Sequence, residues 1–143
     1  MRLSLVLFLL LSPYVLKGGE VRFHDLKFRL PVKWSEVSPV EGATGGQKDG
    51  LWRAPGGKEL RLTMWPGTPE RDGGAMVIEE SYEIVVAGQR TRLLQTRFFM
   101  GVESRVLVVY LKRDERQYRI YGRNVSRKEF ESMLSTLSFT GAP

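Results

Sequence analysis

Cysteine is absent from all 143 residues, histidine occurs once, at His24, and asparagine once, at Asn124. Without a thiol the chain forms no disulfide, offers no acceptor for a lipid anchor and has no cysteine nucleophile. One imidazole makes every Ser-His-Asp arrangement depend on His24, which stands beside Asp25 at a predicted turn. A zinc site would have to be assembled from that imidazole and carboxylates, without the Cys and His clusters such sites favour. The glycine pairs Gly45-Gly46, Gly56-Gly57 and Gly73-Gly74 lack both the lysine-serine ending of a P-loop and the spacing of a dinucleotide fingerprint, so they mark turns. These scarcities predict a protein that is not an enzyme and uses no cofactor or resident metal.

Long apolar runs are also scarce, with one exception at the start. Met1 and Arg2 lead into fourteen uncharged residues, Leu3 to Leu16, ending at Lys17-Gly18-Gly19. A membrane span needs about 20 apolar residues, whereas a basic start, a shorter apolar core and small residues behind it describe a secretory signal. Residues 1–19 are therefore expected to be a signal peptide. The A-x-A cleavage pattern is missing, which leaves an uncleaved N-terminal anchor as the alternative. Residues 20–143 are expected to form a single exported domain, periplasmic or extracellular, because that length suits one hydrophobic core.

Lys and Arg number 22 against 16 Asp and Glu over the whole chain. Setting aside Arg2 and Lys17 leaves a mild basic excess of four. Arginine outnumbers lysine by 15 to 7, and thermolabile residues are few, a combination reported for heat-adapted proteins. A thermophilic origin is the expectation; a melting temperature above the ordinary mesophilic range would bear it out, and an ordinary one would refute it.

Period-two alternation dominates from Val21 onward. Val21 to Phe23 and Leu26 to Leu30 flank His24-Asp25, and Pro31 closes that segment ahead of Trp34. A glycine- and charge-rich stretch from Ser38 to Gly50 reads as a loop. Leu51 to Ala54 and Glu59 to Trp65 flank Pro55-Gly56-Gly57-Lys58 as a hairpin. A second loop, Pro66 to Gly74, is long enough to carry function. Two further hairpins follow, turning at Gly88-Gln89 and at Arg113-Asp114-Glu115. Val106 to Leu111 is apolar at every position and so belongs in the middle of a sheet covered on both sides. Ser126-Arg127-Lys128-Glu129 matches a capping box, and Phe130, Met133, Leu134 and Leu137 then form a helical apolar stripe. The fold class is α+β: an antiparallel sheet of about six strands with a C-terminal helix on one face, the Trp34 segment and the long loops covering the other.

The order of elements, with Phe28-Arg29-Leu30-Pro31-Val32-Lys33-Trp34 at the start and Met133-Leu134-Ser135-Thr136-Leu137-Ser138-Phe139 at the end, resembles the PsbP/Mog1-like superfamily. The resemblance spans nearly all of the expected mature chain. It implies a binding module: that superfamily includes photosystem II extrinsic subunits, a Ran-binding nuclear factor, bacterial secretion adaptors and exported proteins of unknown role. No metal or partner motif of those relatives is matched here, so no site residue carries over.

Two surfaces compete for the function. Trp34, Trp52 and Trp65 border the two long loops and would form an indole rim around a groove, the contact surface of an accessory or adaptor protein in an envelope complex. Alternatively, Arg90 and Arg92 share one strand face while Arg119, Tyr121 and Arg123 share another, giving guanidinium groups able to hold phosphate or carboxylate. Anionic lipid or a cell-wall polymer would be the partner, with nucleic acid disfavoured by export. Glu83, Glu103, Asp114 and Glu115 are the acids that would neutralise these arginines. Glu79 and Glu83 share strand parity and would face the same way. Oligomeric state is left open by the sequence.

Overall fold

The computed structural model describes residues 19–37, 47–66, 76–100 and 102–141. Ten strands and one helix make up the described chain: β1 Gly19–Phe23, β2 Leu26–Leu30, β3 Ser35–Glu36, β4 Lys48–Ala54, β5 Lys58–Pro66, β6 Met76–Val86, β7 Gln89–Met100, β8 Val102–Arg113, β9 Arg116–Arg123, α1 Arg127–Ser135 and β10 Ser138–Phe139. The six long strands β4 to β9, with short β3 at one edge, form an antiparallel sheet ordered β3-β4-β5-β9-β8-β7-β6. The segments Val21 to Phe23 and Leu26 to Leu30, whose alternation marks them as strands, pair in a separate sheet ordered β1-β2-β10 instead of joining a single sheet of about six strands. The α+β class stands, with more sheet than the alternation alone suggested.

Alternation places Leu93, Val109, Ile120 and Leu62 directly opposite one another across β7, β8, β9 and β5. All four are buried, and they form the centre of one face. Phe23, Leu26, Phe28 and Leu30 of the small sheet and Phe130, Met133, Leu134 and Leu137 of the helical segment join them in one core. Two glycines make room for this packing. A Cβ on Gly50 would stand 2.7 Å from the Trp52 indole, and one on Gly122 would stand 2.9 Å from the Phe130 ring. Glycine is needed there because large rings occupy the space a methyl would take.

The helix begins where the sequence places it. Ser126 Oγ accepts from the Glu129 backbone N–H at 3.1 Å. The Glu129 carboxylate instead reaches Lys58 Nζ at 3.0 Å, so half of the capping box is spent on tying the helix to β5. At the other end Thr136 Oγ1 donates to Met133 O at 2.8 Å and accepts from Arg29 N at 2.9 Å, which fixes the helix end to β2.

His24 takes a left-handed φ of 55° in the β1–β2 turn and is exposed, with its ring edge against Phe23. Asp25 is committed elsewhere. Tyr118 Oη donates to it, Arg113 Nη1 stands 3.2 Å from its carboxylate, and Arg116 Nη1 lies 3.8 Å away. The Asp25 carbonyl accepts from Thr140 N at 2.7 Å, and Arg113 also donates to Thr140 O at 2.9 Å. This clasp locks the β1–β2 turn, the β8–β9 hairpin and the C-terminal strand together. It leaves Asp25 serving packing rather than orienting His24.

Candidate anion-binding face

Residues that alternate with the core positions point to the second face of the large sheet. Strand register shows which side chains meet there. Arg61 pairs with Tyr121, Thr63 with Arg119 and Glu59 with Arg123 across β5 and β9. Tyr121 pairs in turn with Val108 and Arg119 with Tyr110 across β9 and β8. On β7 the same face carries Arg90 and Arg92, because Leu94 pairs with Val108 and these arginines share its parity. All four arginines singled out in the sequence therefore lie on one face.

They form two groups. Arg119 and Arg123 stand on either side of Tyr121, with Arg61 directly opposite that tyrosine. Burial pushes the Tyr121 hydroxyl above its ordinary pKa, while the neighbouring Arg123, Arg119 and Arg61 pull it back. Arg119 also lies over the Trp65 indole at 4.9 Å, a cation–π contact. Trp65 Nε1 donates to Gln47 Oε1 at 3.0 Å, and Gln47 Nε2 reaches Asp49 Oδ2 at 3.3 Å, so the indole is held from the β4 side. The second group, Arg90 and Arg92, borders a concavity of about 630 Å³ whose described lining also includes Glu83, Ile84, Val85 and Thr91.

Acids neutralise only part of this surface. Arg53 and Glu59 pair at 3.0 Å, and Arg92 meets Glu83 at 3.8 Å while donating to Ser81 Oγ at 2.6 Å. Arg61, Arg90 and Arg123 have no carboxylate within ion-pair range among the described residues. Asp114 and Glu115 sit in the β8–β9 turn and form no such pair with them, and the Glu103 side chain lies outside the described residues. Between the arginines the floor is close-packed: Leu51, Thr63, Thr96, Val106 and Val108 are buried. Thr63 Oγ1 is buried there without a hydrogen-bond partner among the described residues.

Among the described residues the three indoles do not come together as a rim. Trp34 and Trp52 are 5% and 2% exposed and belong to the core on the opposite face, where Trp52 meets Phe23 and Phe28 edge-on. The Trp34 segment therefore does not cover the second face. Trp65 alone of the three tryptophans lies on the arginine face, half-buried. Most of both loops that were to complete the groove, 38–46 and 67–75, falls outside the described residues. Glu79 and Glu83 do not share a face either, because a bulge between Ile78 and Glu80 breaks the alternation and Glu79 turns to Arg97 at 2.7 Å. Among the described residues, no cluster of three His, Asp or Glu is placed to hold a metal, and no helix is long and apolar enough to cross a membrane. Sequence reasoning missed Arg61. Its alternation with Leu60 and Leu62 was visible, but its place beside Tyr121 follows only from pairing β5 with β9.

Comparison with known structures fixes the fold. A cyanobacterial PsbP from Synechocystis sp. PCC 6803 superimposes with a TM-score of 0.64 at 12% identity, covering 88% of this chain and 94% of that one. The chain has a PsbP/Mog1-like fold. A crystal structure from Bacteroides thetaiotaomicron is similar with a TM-score of 0.58 at 14% identity, covering 87% of this chain and 49% of that longer one. No family model and no curated protein sequence matches the chain. The PsbP-like likeness is thus one of architecture, and what this surface does has to be argued from its own residues.

Proposed function

We propose that the chain is an exported, non-catalytic accessory module of the cell envelope that engages an anionic partner through the arginine face. The observation that carries this reading is Arg61, Arg119 and Arg123 gathered around Tyr121 on an otherwise close-packed sheet. Guanidinium groups bind phosphate and carboxylate in bidentate fashion, and an adjacent aromatic ring limits their hydration and fixes their planes. Arg90 and Arg92 extend the positive surface along the sheet toward the β6–β7 hairpin. Export rests on residues 1–19, and the absence of catalysis on a lone exposed imidazole whose neighbouring carboxylate is already committed.

Anionic lipid head groups and anionic cell-wall polymers share the phosphate or carboxylate chemistry this face would recognise. Binding of the purified chain to phosphatidylglycerol vesicles, phosphatidylcholine vesicles and soluble polyphosphate, each at low and physiological salt, separates them. Binding to both anionic probes that falls steeply with salt is the expected result. Binding to anionic vesicles alone assigns the head-group surface, and binding to polyphosphate alone assigns the polymer. Equal binding to phosphatidylcholine, or salt-independent binding, contradicts the reading. An adaptor that docks on an envelope protein keeps one supporting feature, the Trp65 indole stacked under Arg119. It predicts a partner lost on Trp65→Ala and indifferent to salt.

A further inference from the structure

Among the described residues, three of the four exposed large hydrophobic side chains, Val77, Ile78 and Val85, lie on β6, where they are 50%, 51% and 67% exposed. That strand is the edge of the seven-stranded sheet and runs for 11 residues. The opposite edge, β3, has two. Long edge strands are normally guarded by charged side chains, lysine above all, by proline, a very short length, a bulge or an inward-pointing charge, because their outward N–H and C=O groups template another strand. β6, Met76-Val77-Ile78-Glu79-Glu80-Ser81-Tyr82-Glu83-Ile84-Val85-Val86, contains neither lysine nor proline. It has a bulge, yet the charge of the bulged Glu79 is paired with Arg97 at 2.7 Å and Arg105 at 3.9 Å, with its side chain only 22% exposed.

The strand also reads almost the same in both directions about Ser81: Val-Ile-Glu lies before it and Glu-Ile-Val after it. We infer that β6 pairs antiparallel with β6 of a second copy of this chain, about a two-fold axis at Ser81, continuing the large sheet across a symmetric dimer. Isologous pairing requires self-complementarity, and the bulge sets which residues meet on either side of Ser81. In an unbroken strand Val77 and Ile84, seven residues apart, would point to opposite faces. With one residue absorbed by the bulge, Val77 pairs with Arg97 and Ile84 with Thr91, two odd-numbered positions of β7 that share a face. A register with Ser81 opposite Ser81 and Glu80 opposite Tyr82 then sets Ile84 opposite Val77 and Glu83 opposite Ile78. Removing Glu79 from the register avoids the Glu79–Glu83 repulsion that the bare palindrome would create. Val77, left half in water on the isolated edge, is matched with Ile84 instead.

The lack of cysteine gives a clean test. Across an antiparallel pair directly opposed Cα atoms lie about 4.5–5.5 Å apart, within the range of a disulfide. A Ser81→Cys chain is expected to form a covalent dimer under mild oxidation at least tenfold faster than a Val32→Cys control, whose exposed position lies away from β6. Sedimentation of the unmodified chain should show a concentration-dependent dimer. Val77→Asp, at a half-exposed site that the register sets against Ile84, should weaken self-association at least tenfold with an unchanged circular dichroism spectrum. A monomer at all concentrations, equal cross-linking of the two cysteine variants, or a dimer that survives Val77→Asp would each overturn the proposal.

Discussion

The two faces of the large sheet are built from the same strands by the same alternation, yet they have opposite tasks. On one, Leu62, Ile120, Val109 and Leu93 meet the helix and the small sheet, and aromatic rings fill the remaining space. On the other, the same strands present Arg61, Arg119, Tyr121, Arg123, Arg90 and Arg92, and neither the described helix nor the small sheet packs over them. The contrast teaches that alternation creates two surfaces and leaves to the connecting segments the choice of which becomes core. Changes on the first face should therefore cost stability, and changes on the second should cost binding.

The largest expected effect is on the closed face. Trp52→Ala removes a fully buried indole packed against Phe23 and Phe28, and should cost about 3–5 kcal/mol in urea denaturation. An effect below about 1 kcal/mol would place Trp52 outside the core. The next concerns pH. Burial, and behind it the hydrogen bond to Asp25, pushes the Tyr118 hydroxyl from 10.0 up to about 12. The unfolded chain loses that proton near 10 and the folded chain near 12, so the contribution is complete below pH 10 and disappears as pH rises toward 12. Stability should fall by about 2 kcal/mol across that window, and Tyr118→Phe should flatten this part of the profile. A smaller effect belongs to the helix start. Ser126→Ala removes the acceptor for Glu129 N–H and should cost about 1 kcal/mol, read from the urea midpoint.

Much of the closed face was legible in the sequence. Ser126 and the Phe130, Met133, Leu134, Leu137 stripe announced the helix, and Val106 to Leu111 announced a strand buried on both sides, because each signal depends only on near neighbours in the chain. The arginine face was legible only in fragments. Arg119 and Arg123 share parity on β9 and Arg90 and Arg92 on β7, but their common side depends on pairings between β7, β8 and β9. Arg61 joins them through the β5–β9 pairing, which bridges some sixty residues of sequence. The tryptophans misled for a related reason: an indole beside a loop has the same sequence context whether it closes the core or rims a groove. Glu79 misled because a bulge shifts parity without leaving a local mark.

The most direct test of the division between the faces is the pair Arg61→Glu and Arg123→Glu, introduced together. Urea stability and salt-dependent binding to phosphatidylglycerol vesicles and polyphosphate should be measured side by side. Stability within about 0.5 kcal/mol of the unmodified chain, with binding at low salt reduced at least tenfold, is the predicted result. Unchanged binding to both anionic probes, or unfolding of the variant, would contradict the assignment of this face to an anionic partner.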